Sequence, residues 1–202
     1  MLILFGQLGQ ADLPGVQNGA SEPHRVPVDQ LDVVLLVRAS TLRSHAGEPA
    51  FPGGKLDPED YEAGNPHIEA ALREAAEETG LDRSGVEVLG TAAPIPLPVT
   101  NFMVTPVLAW WSRPSWVGVM DETESAHVFR VPVRDLLNPD HRHLATVTRG
   151  KVTHKTPAFT VPTEKGEVTI WGFTGILLDR LLHRLGWEQP WDQSRKAPAP
   201  GQ

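Results

Sequence analysis

The sequence contains no cysteine among its 202 residues, which excludes disulfide bonds, thiolate metal ligands and cysteine nucleophiles. It also lacks any apolar run as long as the about 18 residues that a membrane-spanning helix needs. Its first residues are apolar but follow no basic segment, so we interpret residues 1–5 as a strand and not as a signal peptide. We therefore expect a cytoplasmic protein with no membrane partner.

Positive charge is scarce as well. The chain has 18 lysines and arginines against 25 aspartates and glutamates, which gives a net charge of −7. Without a basic run, a nucleic-acid partner is not expected. To bind an anionic small molecule, the protein would need a local source of positive charge, either a metal ion or a few arginines placed close together.

Length and composition indicate a single domain over residues 1–193, and the sequence shows no internal repeat. The stretch 7–30, rich in polar residues, glycine and proline, predicts a mobile loop, and the tail 194–202 is predicted to be disordered. Strands mixed with a few helices indicate an α/β (α+β) sandwich. Strands are predicted over residues 1–5, 32–37, 86–91, 103–111, 126–131 and 169–173, one helix is predicted to end near Thr79, and a second covers 175–185.

The most informative segment, residues 51–81, predicts a glycine-rich loop followed by a helix. Asn65 is suited to cap the helix, Pro66 fits its first turn, and Gly80 stands where a left-handed residue ends a helix. One face of the helix is apolar and is expected to pack on the core. That face carries Ile68, Ala71, Leu72, Ala75 and Thr79.

Three glutamates crowd one edge of this helix. Glu74 and Glu78 are four residues apart and share a side, and Glu77 lies one step further round. Like charges at this spacing destabilise a helix, whereas Mg²⁺ or Mn²⁺ would reverse the sign of the interaction. The alternative is a surface network in which Arg73 pairs with Glu69 and Glu77. The preceding glycines favour the metal site, because they let a backbone carbonyl approach an ion closely.

The segment resembles the Nudix box, G-x5-E-x7-R-E-U-x-E-E-x-G-U, in which U is a bulky aliphatic residue. Residues 73–81 match its second half, with Ala75 smaller than the pattern asks. From Gly54 to Arg73 there are 19 positions where the box has 14, so five residues are extra. The first box glutamate falls on Asn65 when counted back from Arg73, and on Asp60 when counted forward from Gly54.

This resemblance implies a Nudix-type α/β/α sandwich with a mixed β-sheet and a hydrolase that uses Mg²⁺ or Mn²⁺. It implies that Glu74 and Glu78 bind metal, with Glu77 as a further ligand or as the base that activates water. Arg73 would orient a box glutamate, and the Gly54 carbonyl would complete the metal site. Glu124 resembles the distal catalytic glutamate of many Nudix enzymes, although an exposed loop acid is an equal alternative.

A second motif lies upstream and resembles the signature of coenzyme A diphosphatases within this family. It comprises Leu35, Leu36, Arg38, Ala39, Arg43, Gly47, Phe51, Pro52, Gly53 and Gly54, and it continues through Lys55, Asp57 and Asp60. Arginine forks suit phosphate oxygens, although single arginines in loops often pair with nearby acids instead. The residues assigned to substrate binding on this resemblance are Arg38, Arg43, Gly47, Phe51, Gly53 and Lys55.

The resemblance to coenzyme A diphosphatases implies that coenzyme A is cleaved to 3′,5′-ADP and 4′-phosphopantetheine. Two alternatives remain open. One is a Nudix hydrolase of another nucleotide, such as ADP-ribose, a dinucleotide or a nucleoside triphosphate. The other is a non-catalytic module that binds a nucleotide or a partner protein. Dimers are common in the family, so a homodimer is also open.

Overall fold

The computed structural model describes residues 1–9, 26–42, 44–62, 64–97 and 101–201. Most of the predicted loop 7–30 lies outside these ranges; of its ends, Gln7 closes a strand and Val28–Gln30 form a 3-10 turn. The strands are β1 (Leu2–Gln7), β2 (Leu31–Arg38), β3 (Pro49–Ala50), β4 (Val86–Thr91), β5 (Ile95–Leu97), β6 (Phe102–Val104), β7 (Val107–Trp111), β8 (Ser125–Pro132), β9 (Arg142–Arg149), β10 (Val152–Thr163), β11 (Gly166–Ile170) and β12 (Lys196–Pro198). The α-helices are α1 (Pro66–Thr79), α2 (Val133–Leu137) and α3 (Gly172–Arg184).

The main sheet has the order β3-β2-β1-β7-β4, with β8 also paired to β2. Strands β1 and β7 are parallel, and the other pairs are antiparallel. The sheet is therefore mixed, as predicted. A second sheet has the order β11-β10-β9-β12, and β5 and β6 form a separate hairpin.

Strand β2 is apolar on both faces because both faces of the main sheet are covered. Val33 and Leu35 join one hydrophobic cluster, which also contains residues of β10, α2 and α3. Val34 and Leu36 point the other way, into a second cluster that contains the apolar face of α1. Layers on both faces of a mixed sheet confirm the predicted α+β sandwich. Within the described ranges, no helix is long and apolar enough to cross a membrane.

Helix α1 has the ends that the sequence predicts. The Asn65 side chain accepts a hydrogen bond from the His67 amide at 3.1 Å, and Pro66 is the first helical residue. Gly80 ends the helix with φ of 73°, a left-handed conformation that favours glycine. The predicted inner face is confirmed: Ile68 is partly buried, and the other four residues are fully buried.

Several predicted boundaries are wrong. The run 103–111 is divided into β6 and β7, and Pro106 lies in the break. The strand predicted over 169–173 is β11, which ends at Ile170, and α3 already begins at Gly172. Strands β9 and β10 have no counterpart among the predicted elements.

The tail 194–202 was predicted to be disordered, and the structure corrects this. Residues Lys196–Pro198 form β12, which pairs in parallel with β9. Ala199 is buried against Ala145 and Ala158, and its amide donates a hydrogen bond to the Thr146 carbonyl at 2.9 Å. The tail is ordered because β12 pairs with a strand that is distant in sequence. This pairing gives the backbone amides and carbonyls of the tail hydrogen-bond partners.

Candidate active site

The glycine-rich loop is fixed at one end by the core. The predicted substrate-binding residue Phe51 is buried at 4% exposure among core side chains. Its ring therefore anchors the loop and is not open to a ligand, which corrects that assignment. Next to it, the Leu2 amide donates a hydrogen bond to the Pro52 carbonyl at 2.8 Å and holds the loop to β1.

At Gly53 and Gly54 the loop passes close to other groups. At Gly53, φ is 149°, and an added Cβ would lie 2.5 Å from the Met1 Cα. At Gly54, an added Cβ would lie 2.1 Å from Glu74 Oε1. The Gly54 backbone thus lies directly against the Glu74 carboxylate.

Glu78 is the most buried of the three box carboxylates, at 8% exposure, and it accepts a hydrogen bond from the Gly53 amide at 2.8 Å. Burial raises the pKa of Glu78 to about 7, and the hydrogen bond from Gly53 only partly opposes this. Burial also raises the pKa of Glu74. Two neighbouring acids that resist ionisation are stabilised in their charged form by a nearby cation.

Arg73 connects the helix to the loop. Its guanidinium donates to both carboxylate oxygens of Asp60, at 3.1 and 3.0 Å, and to Glu74 and Glu77, each at 3.2 Å. A fourth group, the Lys55 carbonyl, accepts from Arg73 at 3.0 Å. The surface-network alternative is therefore half right, because Arg73 pairs with Glu77 and not with Glu69.

The sequence left two candidates for the first box acid, Asp60 and Asn65, and Asp60 is the one that contacts Arg73. It is 3% exposed and bound by both arms of the Arg73 guanidinium, whereas Asn65 caps the helix. Hydrogen bonds from Arg73 hold the pKa of Asp60 below its usual range, so this buried acid is charged. Glu69, the other acid considered as a partner of Arg73, pairs with Arg83 instead. Although the box contains five extra residues, an acidic side chain still lies against Arg73.

The carboxylates of α1 differ in how open they are. The Glu74 side chain is 19% exposed and the Glu77 side chain 57% exposed, and both are bonded to Arg73. Within the described ranges, no group of three or more acidic or histidine side chains is already arranged to hold a metal ion. Each of the three has a protein partner instead. The donor set nevertheless fits a hard divalent cation, because it offers carboxylate oxygens beside a backbone that carries no Cβ.

Arg38 and Glu124 border the carboxylates from the main sheet. The Ala39 amide donates to the Glu124 carbonyl at 2.8 Å, and the register pairs Arg38 with Ser125. Besides burial, the charge of Arg38 lowers and that of Glu124 raises the pKa of Glu78, which places both charges near it. The Arg38 Nε is buried and has no hydrogen-bond partner.

Two further predicted binding residues, Gly47 and Lys55, lie in the described part of the chain. Gly47 has φ of 69° and its amide donates to the Arg38 carbonyl at 3.1 Å, so it turns the loop and holds Arg38. Lys55 places its Nζ 5.2 Å from the centre of the Phe102 ring. Arg43 lies outside the described residues. Phe102 is not among the binding residues predicted from the sequence.

Two surface pockets in the described part of the chain lie elsewhere. One surrounds Trp191 and the other surrounds Trp116, and none of the carboxylates of α1 lines either. The candidate active site is instead the surface between the glycine loop, α1 and the start of β8. It combines desolvated acids with an arginine whose Nε has no partner, which is suited to a divalent cation and a phosphate-bearing ligand.

Comparisons with known proteins identify the family of this chain. The NUDIX domain model matches residues 26–149. An uncharacterized Nudix hydrolase NudL of Yersinia enterocolitica is 34% identical over 154 residues, which cover 76% of this chain and 73% of that protein. A NudL of Cronobacter sakazakii is 34% identical over 158 residues, covering 78% and 77%.

Two solved structures are similar at lower identity. One is a C. elegans Ap4A hydrolase binary complex, with TM-score 0.45, 17% identity, and coverage of 67% of this chain and 80% of that chain. Another is the NUDIX domain of Shewanella oneidensis NrtR complexed with ADP ribose, with TM-score 0.43, 20% identity and coverage of 67% and 72%. The chain belongs to the Nudix family. It is a Nudix hydrolase, and enzymes of this family generally use divalent metal ions.

Proposed function

We propose that this enzyme hydrolyses the phosphoanhydride of coenzyme A or its derivatives, giving 3′,5′-ADP and 4′-phosphopantetheine. The observation that carries the proposal is the position of Arg38. It belongs to the upstream signature, its Nε has no partner, and its charge acts on the most buried box acid, Glu78. A guanidinium beside a metal site is well placed for a substrate with several phosphates.

The acids of α1 and the glycine loop have separate roles in this proposal. Glu74, Glu78 and the Gly54 carbonyl would hold Mg²⁺ or Mn²⁺. When bound, the ion lowers the pKa of water and neutralises charge that develops on phosphate oxygens. Arg73, fixed by Asp60, holds Glu74 and Glu77 in place.

Hydrolysis then needs a base and an attacking water. Glu77 is assigned the role of base because it is the most exposed of the three acids and is open to solvent. Water attacks one phosphorus atom in line, its proton passes to Glu77, and the bond from that phosphorus to the bridging oxygen breaks. Glu124 is assigned a supporting catalytic role, since its charge reaches Glu78. Arg38, Arg43 and Lys55 bind substrate phosphates.

The test is a product assay by liquid chromatography and mass spectrometry. The purified protein is incubated with coenzyme A, ADP-ribose, NADH or a nucleotide mixture, each with Mg²⁺, Mn²⁺ or EDTA. We expect metal-dependent 3′,5′-ADP from coenzyme A as the preferred reaction. Preferred cleavage of another nucleotide would overturn the coenzyme A assignment and keep the hydrolase. No turnover of any substrate would favour a binding module instead.

Variants at two glutamates complete the test. Glu78→Gln removes a proposed metal ligand, and we expect it to lower turnover by at least about a hundredfold. Glu87→Gln is the matched control, because Glu87 is an exposed residue of β4 and its register partner Trp110 belongs to the hydrophobic cluster on the sheet face opposite α1. Equal activity of the two variants would overturn the assigned metal site.

A further inference from the structure

The β5–β6 hairpin places an aromatic side chain beside the glycine loop. Its register pairs Ile95 with Val104 and Leu97 with Phe102, so these four side chains share one face of the hairpin. Ile95 packs against the core cluster that contains Phe51. The face that carries Phe102 is therefore the one turned toward the body of the protein and the loop.

Phe102 is not buried by this arrangement. It is 45% exposed, and the group over its ring is the Lys55 ammonium at 5.2 Å. Lys55 lies next to Gly54, and its ammonium has no carboxylate partner in the described part of the chain. An open aromatic ring and a lysine without an acidic partner thus stand together at the edge of the candidate active site.

We propose that Phe102 is the stacking platform for the base of the nucleotide substrate, with Lys55 binding a phosphate next to that base. The proposal rests on the proposed function only in placing phosphates at the glycine loop. Bases stack on aromatic side chains irrespective of their identity. The Lys55 ammonium lies over the Phe102 ring. Its charge attracts the phosphates toward the side of the loop where Glu74 and Gly54 lie.

Charge and shape favour a nucleotide over an apolar occupant of this surface. A purely apolar group would have to cover the Lys55 ammonium, which costs free energy when no partner replaces water. A nucleotide satisfies both residues, because it has a flat base for the ring and phosphate oxygens for the ammonium. Met103 is more exposed than Phe102 but lies on the other face of the hairpin, so the platform does not include it.

The experiment measures equilibrium binding of ADP and of inorganic pyrophosphate to the full chain by titration calorimetry with Mg²⁺. Phe102→Leu keeps an apolar side chain and removes the ring, and Phe102→Trp keeps a ring. Met103→Leu is the control on the opposite face. We expect Phe102→Leu to weaken ADP binding about tenfold, to leave pyrophosphate binding unchanged, and to keep the melting temperature. Phe102→Trp and Met103→Leu should bind ADP as the parent does.

Other results would overturn the platform. They are unchanged ADP binding by Phe102→Leu, an equal loss of ADP and pyrophosphate binding, and a parent protein that binds pyrophosphate but not ADP or binds neither. None of these results depends on turnover of coenzyme A. A failed product assay with intact, ring-dependent ADP binding would therefore overturn the proposed function and leave the platform in place.

Discussion

The Gly53 amide donates a hydrogen bond to Glu78 Oε2 at 2.8 Å, and this bond joins the glycine loop to the last turn of α1. It is an interaction of the folded chain between residues 25 positions apart. The bond brings a carboxylate into a buried place beside a second acid, Glu74. The site is therefore assembled at a cost in stability, which a bound cation would offset.

Glu78 should make the metal-free protein less stable as the pH rises. Its pKa is raised to about 7 in the fold from an ordinary value of 4.5, so the folded state holds the proton more tightly. Stability from this group is present below about pH 4.5, falls as the pH rises toward 7, and then levels off. Glu78→Gln keeps an acceptor for the Gly53 amide. Because glutamine does not ionise, the variant lacks the loss of stability that Glu78 causes as the pH rises. We expect it to be more stable than the parent at pH 8, by up to about 3 kcal/mol.

Urea unfolding in EDTA at pH 5 and pH 8 measures this effect. Glu87→Gln should show the same loss of stability between the two pH values as the parent protein. The prediction concerns the difference between variants, because buried His127 and half-buried His143 also titrate. An identical pH dependence in Glu78→Gln and the parent would contradict it.

Gly54→Ala should damage the metal site without unfolding the protein. The new Cβ would lie 2.1 Å from Glu74 Oε1, so the carboxylate or the loop must move. A displacement of about 1 Å at a catalytic group lowers rates by about a hundredfold. We expect that loss in turnover, a higher Mg²⁺ concentration for half-maximal rate, and a nearly unchanged melting temperature. Parent-like metal dependence would show that Gly54 does not adjoin the ion.

Asp60→Asn should lower both stability and activity, while Asp57→Asn should change neither by much. Both acids lie near Arg73, but Asp60 is 3% exposed and bound at 3.0 Å, whereas Asp57 is 58% exposed at 3.4 Å. Losing a buried charged hydrogen bond costs about 2 kcal/mol, and an exposed pair costs less than about 1 kcal/mol. Asp57 is the N-cap of the 3-10 turn Pro58–Tyr61, and asparagine serves equally well in that position. Urea unfolding and steady-state kinetics measure the contrast, and similar effects at both positions would contradict it.

The ends of α1 could be predicted from the sequence because they depend on local chemistry. Asn65, Pro66 and Gly80 each act within a few residues of themselves. The crowding of Glu74 and Glu78 beside the core face follows from helical spacing for the same reason. A fixed local geometry is what a motif can encode.

The errors concern contacts between distant residues. Asp60 and Asn65 could not be separated by counting, because the choice depends on which one the fold brings to Arg73. Phe51 stands in a binding signature, yet its ring is in the core, and a motif does not report burial. Strand β12 is polar and proline-rich, so only its pairing with β9 makes it a strand.

The pairing of β12 gives a last prediction, on the tail. Ala199 is fully enclosed beside Ala145 and Ala158, whereas Pro200 is exposed. A carboxylate at residue 199 would be buried without a partner, so we expect Ala199→Asp to lower the free energy of unfolding by at least about 2 kcal/mol. Pro200→Asp adds the same charge one residue away and should stay within about 0.5 kcal/mol of the parent. Urea unfolding gives both values, and hydrogen exchange at the Leu144 and Thr146 amides should rise in Ala199→Asp alone. Equal stability of the two variants would mean that residues 196–199 do not hold β9 in solution.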